Sequence, residues 1–314
     1  MVLNGKGNQY GISKKTQATV LDAIARMNYA PSKFAKAQRT GKSYFVGLIL
    51  SDIANPGYLR MARNLENELA LHGYNLLVCN SGENEEKEKL QVEMLLNRQG
   101  VDALVVATTF KDASFYDRNC FSDFPMVFID RTLSHMNAGQ VIFDNYSGAF
   151  DMVSKLISSG SRTVACMPLT PLHLSTTCDR LNGYKRAMLK AGLEPDEHLL
   201  RPVGLDSVDE DVEKNLQYFI ENKIIPEAVF ALNFPVALAL LRALKKREFL
   251  KLANMQIASY EDAGYFGAMD KRMITVERPY DDMGRAAAGF VLSLLRGEPQ
   301  GPEQIVLPAR KLSC

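Results

Sequence analysis

The stretch "YFVGLILSDIANPGYLRMARNLENELALHGYNLLVCN", residues 44–80, decides the fold. It opens on a short apolar run, YFVGLIL, and passes through the turn residues Ser51 to Gly57. Apolar residues then recur at helical spacing through YLRMARNLENELALHG, before a second apolar run, YNLLVCN. Short apolar runs bounded by turn residues read as buried strands, and an intervening amphipathic helix reads as a crossover. Two strands joined by a helix lie parallel, so the unit predicts a parallel sheet covered by helices.

The unit repeats. VDALVVA (101–107), PMVFID (125–130) and GQVIFD (139–144) are further strand runs, and EEKEKLQVEMLLNR (85–98) is a further helix. After Asp144-Asn145 the scheme starts again. Helices are expected at NYSGAFDMVSKLISSG (145–160), around DRLNGYKRAMLKAG (179–192), at DEDVEKNLQYFIEN (209–222) and at PVALALLRALKKR (235–247). Strands are expected at TVACMPL (163–169), near LRPVGL (200–205), at AVFALN (228–233) and at MQIASY (255–260). Two similar halves imply an α/β body of two lobes, each a doubly wound parallel sheet, with a cleft between them.

The 314 residues are 46% apolar and 23% charged, the balance of a soluble globular chain. Apolar runs such as AVFALNF and VDALVVA are far too short to span a bilayer, and the N-terminus carries lysines without the apolar run of an export signal. A cytoplasmic location without a membrane partner is expected. The five cysteines (Cys79, Cys120, Cys166, Cys178, Cys314) form no C-x-x-C pair and read as small hydrophobes in a reducing compartment.

The formal charge of +1 conceals an asymmetry. Residues 1–43 carry eight Lys/Arg against Asp22 alone, a net of +7, which leaves −6 for the other 271 residues. A basic head on a mildly acidic body points to a polyanion met by the head only. The head is organised. Val2-Leu3-Asn4-Gly5 reads as the last turn of a helix and its stop signal. Ser13 reads as the N-cap of a helix of about 14 residues with Val20, Leu21, Ile24 and Met27 on one face. That helix ends before Pro31, and PSKFAKAQRTGKS (31–43) is a second short helix that needs a partner surface to fold.

In open α/β sheets ligands bind beyond the carboxyl ends of the strands, and the loops there are polar. Ser51 to Tyr58 follows the first strand run, Asp130-Arg131 follows MVFI, Asn233 follows FAL, and Glu261-Asp262 follows ASY; Cys178-Asp179-Arg180 precedes a second-lobe helix. Carboxylates, guanidiniums, amides and one aromatic ring suit a polyhydroxylated ligand, the ring covering an apolar sugar face and bidentate groups taking paired hydroxyls. Each element also has a structural reading: Asp130-Arg131 as an ion pair, Asn55-Pro56-Gly57 as a turn, Tyr58 as packing at a helix start.

The segment "VLNG…ISKKTQATVLDAIARMNYAPSKFAKAQRTGKS" resembles the third helix and hinge of the LacI-type family of bacterial transcription regulators. In that family it follows a helix-turn-helix. The resemblance implies a partial DNA-binding headpiece beginning near the end of the recognition helix, and weak, salt-sensitive binding of operator DNA by this chain as written. It names Lys14, Lys15, Tyr29, Pro31, Ser32, Lys36, Gln38 and Arg39 as DNA-binding residues; Gln38 stands where the family's hinge leucine wedges a minor-groove step.

The body resembles the same family throughout. SDIANPGY is similar to its D-I-x-N-P-F-F, with Gly57 replacing the first aromatic; IDR (129–131) and R-x-x-G-Y (180–184) match, and ITVERPYDDMGRAAAGF is similar to its returning strand and helix. Phe234 replaces the aspartate of N-D, and Glu261 replaces an aspartate in a G-F-D-D position. The implied fold is a periplasmic-binding-protein-like body. The implied effector site is Asn55, Tyr58, Asp130, Arg131, Thr176, Arg180, Asn233 and Glu261, for a sugar, sugar acid or sugar phosphate. The expected division is a headpiece over 1–43, a first lobe of 44–144 with 277–302, and a second lobe of 145–276 with 303–314, the chain crossing three times between lobes. A homodimer on a pseudo-palindromic operator is implied, with no cofactor.

Catalysis is not expected. The histidines (His72, His135, His173, His198) lack metal spacing, no G-x-S-x-G occurs, and TGKS (40–43) has Lys36 where a phosphate loop needs glycine. The alternative to a sugar-responsive regulator is the solute-binding protein of a sugar transport system. Such a protein needs an export signal and has no use for a basic helical head.

Overall fold

The computed structural model describes residues 2, 5–27, 41–118, 121, 123–133, 136, 138–260, 273–298, 304–308 and 312–313. The chain divides into two units, Met1–Tyr44 and Phe45–Cys314.

In the first unit, helix α1 spans Lys14–Arg26, and Ser13 caps it by accepting from the Thr16 N–H at 3.2 Å. Gln17 donates to Ile12 O (2.7 Å) and to Asn8 Oδ1 (2.9 Å), tying the helix to the short turn Asn8–Tyr10 before it. On its apolar face Val20, Leu21 and Met27 are exposed and Ile24 is half-buried. The expected second helix, and with it Tyr29, Pro31, Ser32, Lys36, Gln38 and Arg39, lies outside the described residues.

In the second unit the first sheet contains β1 (Phe45–Leu50), β2 (Asn75–Asn80), β3 (Ala103–Val106), β4 (Met126–Ile129), β5 (Gly139–Phe143) and β10 (Gln304–Leu307), in the order β10-β5-β4-β3-β1-β2. All its pairings are parallel. β3 and β4 are buried along their whole length, as expected of a sheet covered on both faces, while β2 at the edge is partly exposed. The second sheet runs β11-β9-β8-β7-β6, from β6 (Val164–Met167), β7 (Ala228–Ala231), β8 (Gln256–Tyr260), β9 (Met273–Val276) and β11 (Leu312–Ser313); only β11 is antiparallel.

Two sequence readings need correction. The strand expected near 200–205 is reduced to two bridges beside β6, at Leu200 and Val203. Pro202 between them has no N–H to give, which confines the segment to a sheet edge. The division at 302/303 fails because Gln304–Leu307 pairs with β5 in the first sheet. The crossing therefore comes after Leu307, not before it.

Helices α2 (Pro56–Leu71) and α8 (Tyr280–Arg296) pack together on the first sheet, and α4 (Asn145–Ser158) and α5 (Ser175–Lys190) pack together on the second. Helix α3 is Glu85–Glu93, α6 is Val208–Glu221 and α7 is Phe234–Ala243. Both packed pairs meet through a glycine. A Cβ at Gly183 of α5 would press into the Tyr146 carbonyl and lie 2.7 Å from Ala149 Cβ. At Gly284 of α8 it would press into the Met61 carbonyl and lie 3.0 Å from Leu65 N. Phe219, Leu240 and Ile257 centre the second lobe's core, and Leu104, Val106 and Phe128 that of the first.

No helix among the described residues is long and apolar enough to cross a membrane. The glycine contacts lead to a stability prediction. Gly183→Val and Gly284→Val each lower the free energy of unfolding by about 1–3 kcal/mol through overpacking. Gly289→Val in the same helix α8, where an added Cβ meets nothing within 4 Å, stays within about 0.5 kcal/mol of wild type. Urea denaturation of the three variants checks this.

Candidate functional site

The loops that follow the strands of both sheets converge on one cleft of about 430 Å³, counting its open mouth. From the first lobe it is lined by Asp52, Asn55, Tyr58, Glu83, Asp130 and Arg131; from the second by Leu169, Thr176, Arg180, Leu205, Asn233 and Pro235; and Arg278 enters from the crossing between β9 and α8. Asn55, Tyr58, Asp130, Arg131, Thr176, Arg180 and Asn233 are thus brought together. Glu261 lies outside the described residues.

Asn55 caps α2, its Oδ1 accepting from the Gly57 N–H at 2.8 Å, and this cap turns Tyr58 inward. Tyr58 is 4% exposed, donates from its hydroxyl to Asp130 Oδ2 at 2.7 Å, and packs edge-on against Tyr280. The ring is therefore held in a polar network and is not a free platform for a sugar face. A Cβ at Gly57 would overlap the Tyr280 ring, so that ring fills the space and a side chain at position 57 has no room.

Asp130 and Arg131 do not pair with each other. Asp130 Oδ1 accepts from Arg278 Nη2, both side chains being almost wholly buried. Arg131 donates through Nη1 and Nη2 to the two oxygens of Glu83, the first at 2.6 Å, and through Nη1 to Thr108 O at 3.2 Å. Both carboxylate residues sit on left-handed backbone, Asp130 at φ +67° and Glu83 at φ +56°. Such conformations persist only where the surroundings enforce them, and they cluster at functional sites.

Burial pushes the Asp130 carboxyl up, but the guanidiniums of Arg278, Arg131 and Arg180, with the Tyr58 hydroxyl, outweigh it and hold the group below the usual carboxylate range. The same burial, reinforced by the Asp130 charge, drives the Tyr58 phenol well above its ordinary value. At neutral pH the cleft therefore holds an ionised aspartate against a neutral phenol.

In the second lobe Arg180 is 2% exposed. It donates from Nε to Asn145 Oδ1 (2.8 Å) and from Nη1 to Leu232 O (2.5 Å), and its guanidinium lies 4.0 Å from the Tyr260 ring centroid. Helix α5 already begins at Ser175, so Arg180 stands in its second turn, not ahead of it. Phe234, at the aspartate position of the family's pattern, packs against the second-lobe core.

Sequence reading missed Glu83 and Arg278. It also missed Glu88, a fully buried carboxylate that accepts from Thr108 Oγ1 (2.8 Å), Thr109 N and Oγ1 (2.6 Å each) and Tyr116 Oη (2.6 Å). Burial raises its carboxyl despite those four donors. Its effect is to fix the Thr108-Thr109 backbone, whose first carbonyl meets Arg131. Two further contacts join the lobes at the mouth: Thr132 N–H donates to Ser175 Oγ at 3.0 Å, and His173 Nε2 lies 3.3 Å from Thr109 O.

Replacing Asp130 with Asn strands the buried Arg278 charge and costs about 3–5 kcal/mol near neutral pH. A carboxylate held below its unfolded value stabilises fully above about pH 4 and less as pH falls through its folded value. The gap between wild type and Asp130→Asn accordingly narrows on acidification below about pH 4, as chemical denaturation at a series of pH values reads directly.

Residues 43–311 match the family described as periplasmic binding proteins and sugar binding domain of LacI family. The chain is 28% identical over 297 residues to the ribose operon repressor of Bacillus subtilis (strain 168), covering 95% of this chain and 88% of that protein. It is 27% identical over 304 residues to the catabolite repressor/activator of Escherichia coli (strain K12), covering 96% and 89%. Among solved structures it is similar in fold to the Cra transcriptional dual regulator of Pseudomonas putida in complex with fructose 1-phosphate, at a TM-score of 0.74 and 22% identity over 86% of this chain and 97% of that one. With that match across most of its length, joined to two mainly parallel sheets whose strand-following loops face one polar cleft, the chain belongs to the LacI family of transcriptional regulators.

Proposed function

We propose that the protein is a sugar-responsive repressor whose input is a small carbohydrate-type effector held between the lobes and whose output is operator binding by the basic N-terminal segment. The observation that carries this reading is the convergence of polar side chains from strand-following loops of both lobes on one cleft. The similar regulators of ribose and catabolite operons, and the fructose 1-phosphate in the Pseudomonas putida protein, support a sugar-type effector. A cytoplasmic homodimer, pairing two headpieces on a two-fold operator, fits the same reading.

The geometry suggests how binding becomes closure. Thr132 and Ser175, which bond across the mouth, are the immediate neighbours of Arg131 and Thr176 in the cleft. Thr109, which meets His173, follows the Thr108 whose carbonyl receives Arg131. A ligand that draws on Arg131 and Thr176 therefore pulls on the backbone that shuts the mouth. Coupling of this kind is typically about 1–3 kcal/mol, or roughly 5- to 150-fold in operator affinity.

On the DNA side, Lys14 and Lys15 occupy the exposed first turn of α1, which contains no acidic residue. Cations there oppose the helix dipole, and phosphate oxygens nearby relieve that cost.

Two measurements test the reading. In thermal-shift assays an effector at about 100 times its Kd stabilises wild type by about 2.7 kcal/mol, and Arg180→Ala loses most of that gain; equal stabilisation of both removes Arg180 from the site. In operator binding, Lys14→Ala and Lys15→Ala each reduce the slope of log affinity against log salt by about 1. An unchanged slope excludes these lysines from the phosphate contacts.

A further inference from the structure

The cleft's buried carboxylates are already engaged. Glu83 gives both oxygens to Arg131, and Asp130 gives one to Arg278 and one to Tyr58. Asp52 stands half-buried among the lining residues, with its Oδ1 accepting from the Ala54 N–H at 2.8 Å. The position at which the family's pattern carries a further aspartate is Phe234, turned to the core.

Of the buried lining polar atoms with no hydrogen-bond partner among the described residues, two lie one on each lobe. They are Arg131 Nε, on a side chain more than nine-tenths buried, and Asn233 Oδ1. One is a charged donor and the other a neutral acceptor, on opposite lobes. Leaving such atoms unsatisfied is costly, so a ligand that closes this cleft meets both. The guanidinium donor calls for an acceptor, and an anionic oxygen adds Coulombic attraction to the charge-assisted bond that a guanidinium makes with any oxygen. The amide oxygen calls for a hydroxyl. The Arg131 fork is already engaged by Glu83, which leaves Nε as its one nitrogen with no partner among the described residues.

We propose that the effector is a small hydroxylated anion, its carboxylate or phosphate oxygen received by Arg131 Nε and one of its hydroxyls donated to Asn233 Oδ1. The proposal rests on the reading of the cleft as the effector site and narrows the class of molecule it takes. It also assigns Asn233 a specific task. As an amide it accepts a hydroxyl without repelling the anion, which a carboxylate at the same place does not allow.

The test is isothermal titration of the full chain with matched probes: five- and six-carbon aldonates, their parent aldoses, and the corresponding aldose phosphates. The expected result is that at least one anion binds about tenfold or more tightly than its neutral parent. An aldonate so preferred identifies a carboxylate source, and an aldose phosphate a phosphate ester. Asn233→Asp, a partly exposed position, is expected to weaken the preferred anion by about tenfold or more while leaving the unfolding midpoint near wild type. Arg131→Lys, which keeps the charge and removes Nε, is expected to narrow the gap between anion and parent. If a neutral aldose binds as tightly as its acid and phosphate, and both variants weaken it, the anion assignment is overturned and the cleft remains the effector site. If ligands of every class bind both variants as they bind wild type, or none binds wild type, the effector reading itself falls with it.

Discussion

The buried pair of Asp130 and Arg278 is the interaction on which the cleft depends. Asp130 ends a central strand of the first sheet, and Arg278 lies where the chain returns from the second sheet to helix α8. Tyr58, in the first turn of α2, donates to the same carboxylate. One ionised group therefore fixes a strand end, a helix start and an inter-lobe crossing. Burying two charges is expensive unless they are paired and their remaining polar atoms are met. Here the carboxylate receives a donor on each oxygen, and the Arg278 guanidinium also reaches Tyr280 Oη at 2.8 Å. Glu83 and Arg131 repeat the arrangement at the neighbouring loop, again with the acid on left-handed backbone.

The lobes and most of their elements were legible in the sequence because strands buried on both faces are written as unbroken apolar runs, as in Ala103–Val106 and Ala228–Ala231. Failures fall where that signal is weak. The 200–205 run is apolar enough for a strand but contains Pro202, and it makes only two bridges. Helix α5 starts several residues before the expected point because Leu174, its first flanking residue, offers no capping side chain. Gln304–Leu307 alternates between exposed and half-buried positions, so nothing in its pattern says which sheet it joins.

The site was legible as a set of loops but not as a set of pairs. Asn55, Asp130, Arg131 and Asn233 follow strand ends, and that rule located them. The partners of the two acidic residues are 48 and 148 positions away, beyond the reach of local pattern. Arg278 did leave a trace, a charged residue just past the apolar strand Met273–Val276, and Glu83 lies just past Asn75–Asn80 in the same way. Glu88 left none. A glutamate in a charged helical run reads as solvated, and only the fold shows that it points inward to grip Thr108 and Thr109.

The two contacts between the lobes also set how firmly those lobes are held together. Parting the lobes beside Arg131 and Thr176 breaks both the Thr132–Ser175 and the His173–Thr109 contact. Two hydrogen bonds at about 0.5–1.5 kcal/mol each favour the joined arrangement by roughly 5- to 150-fold. A margin of that size holds the lobes together without locking them, so the fold can part and rejoin them at small cost.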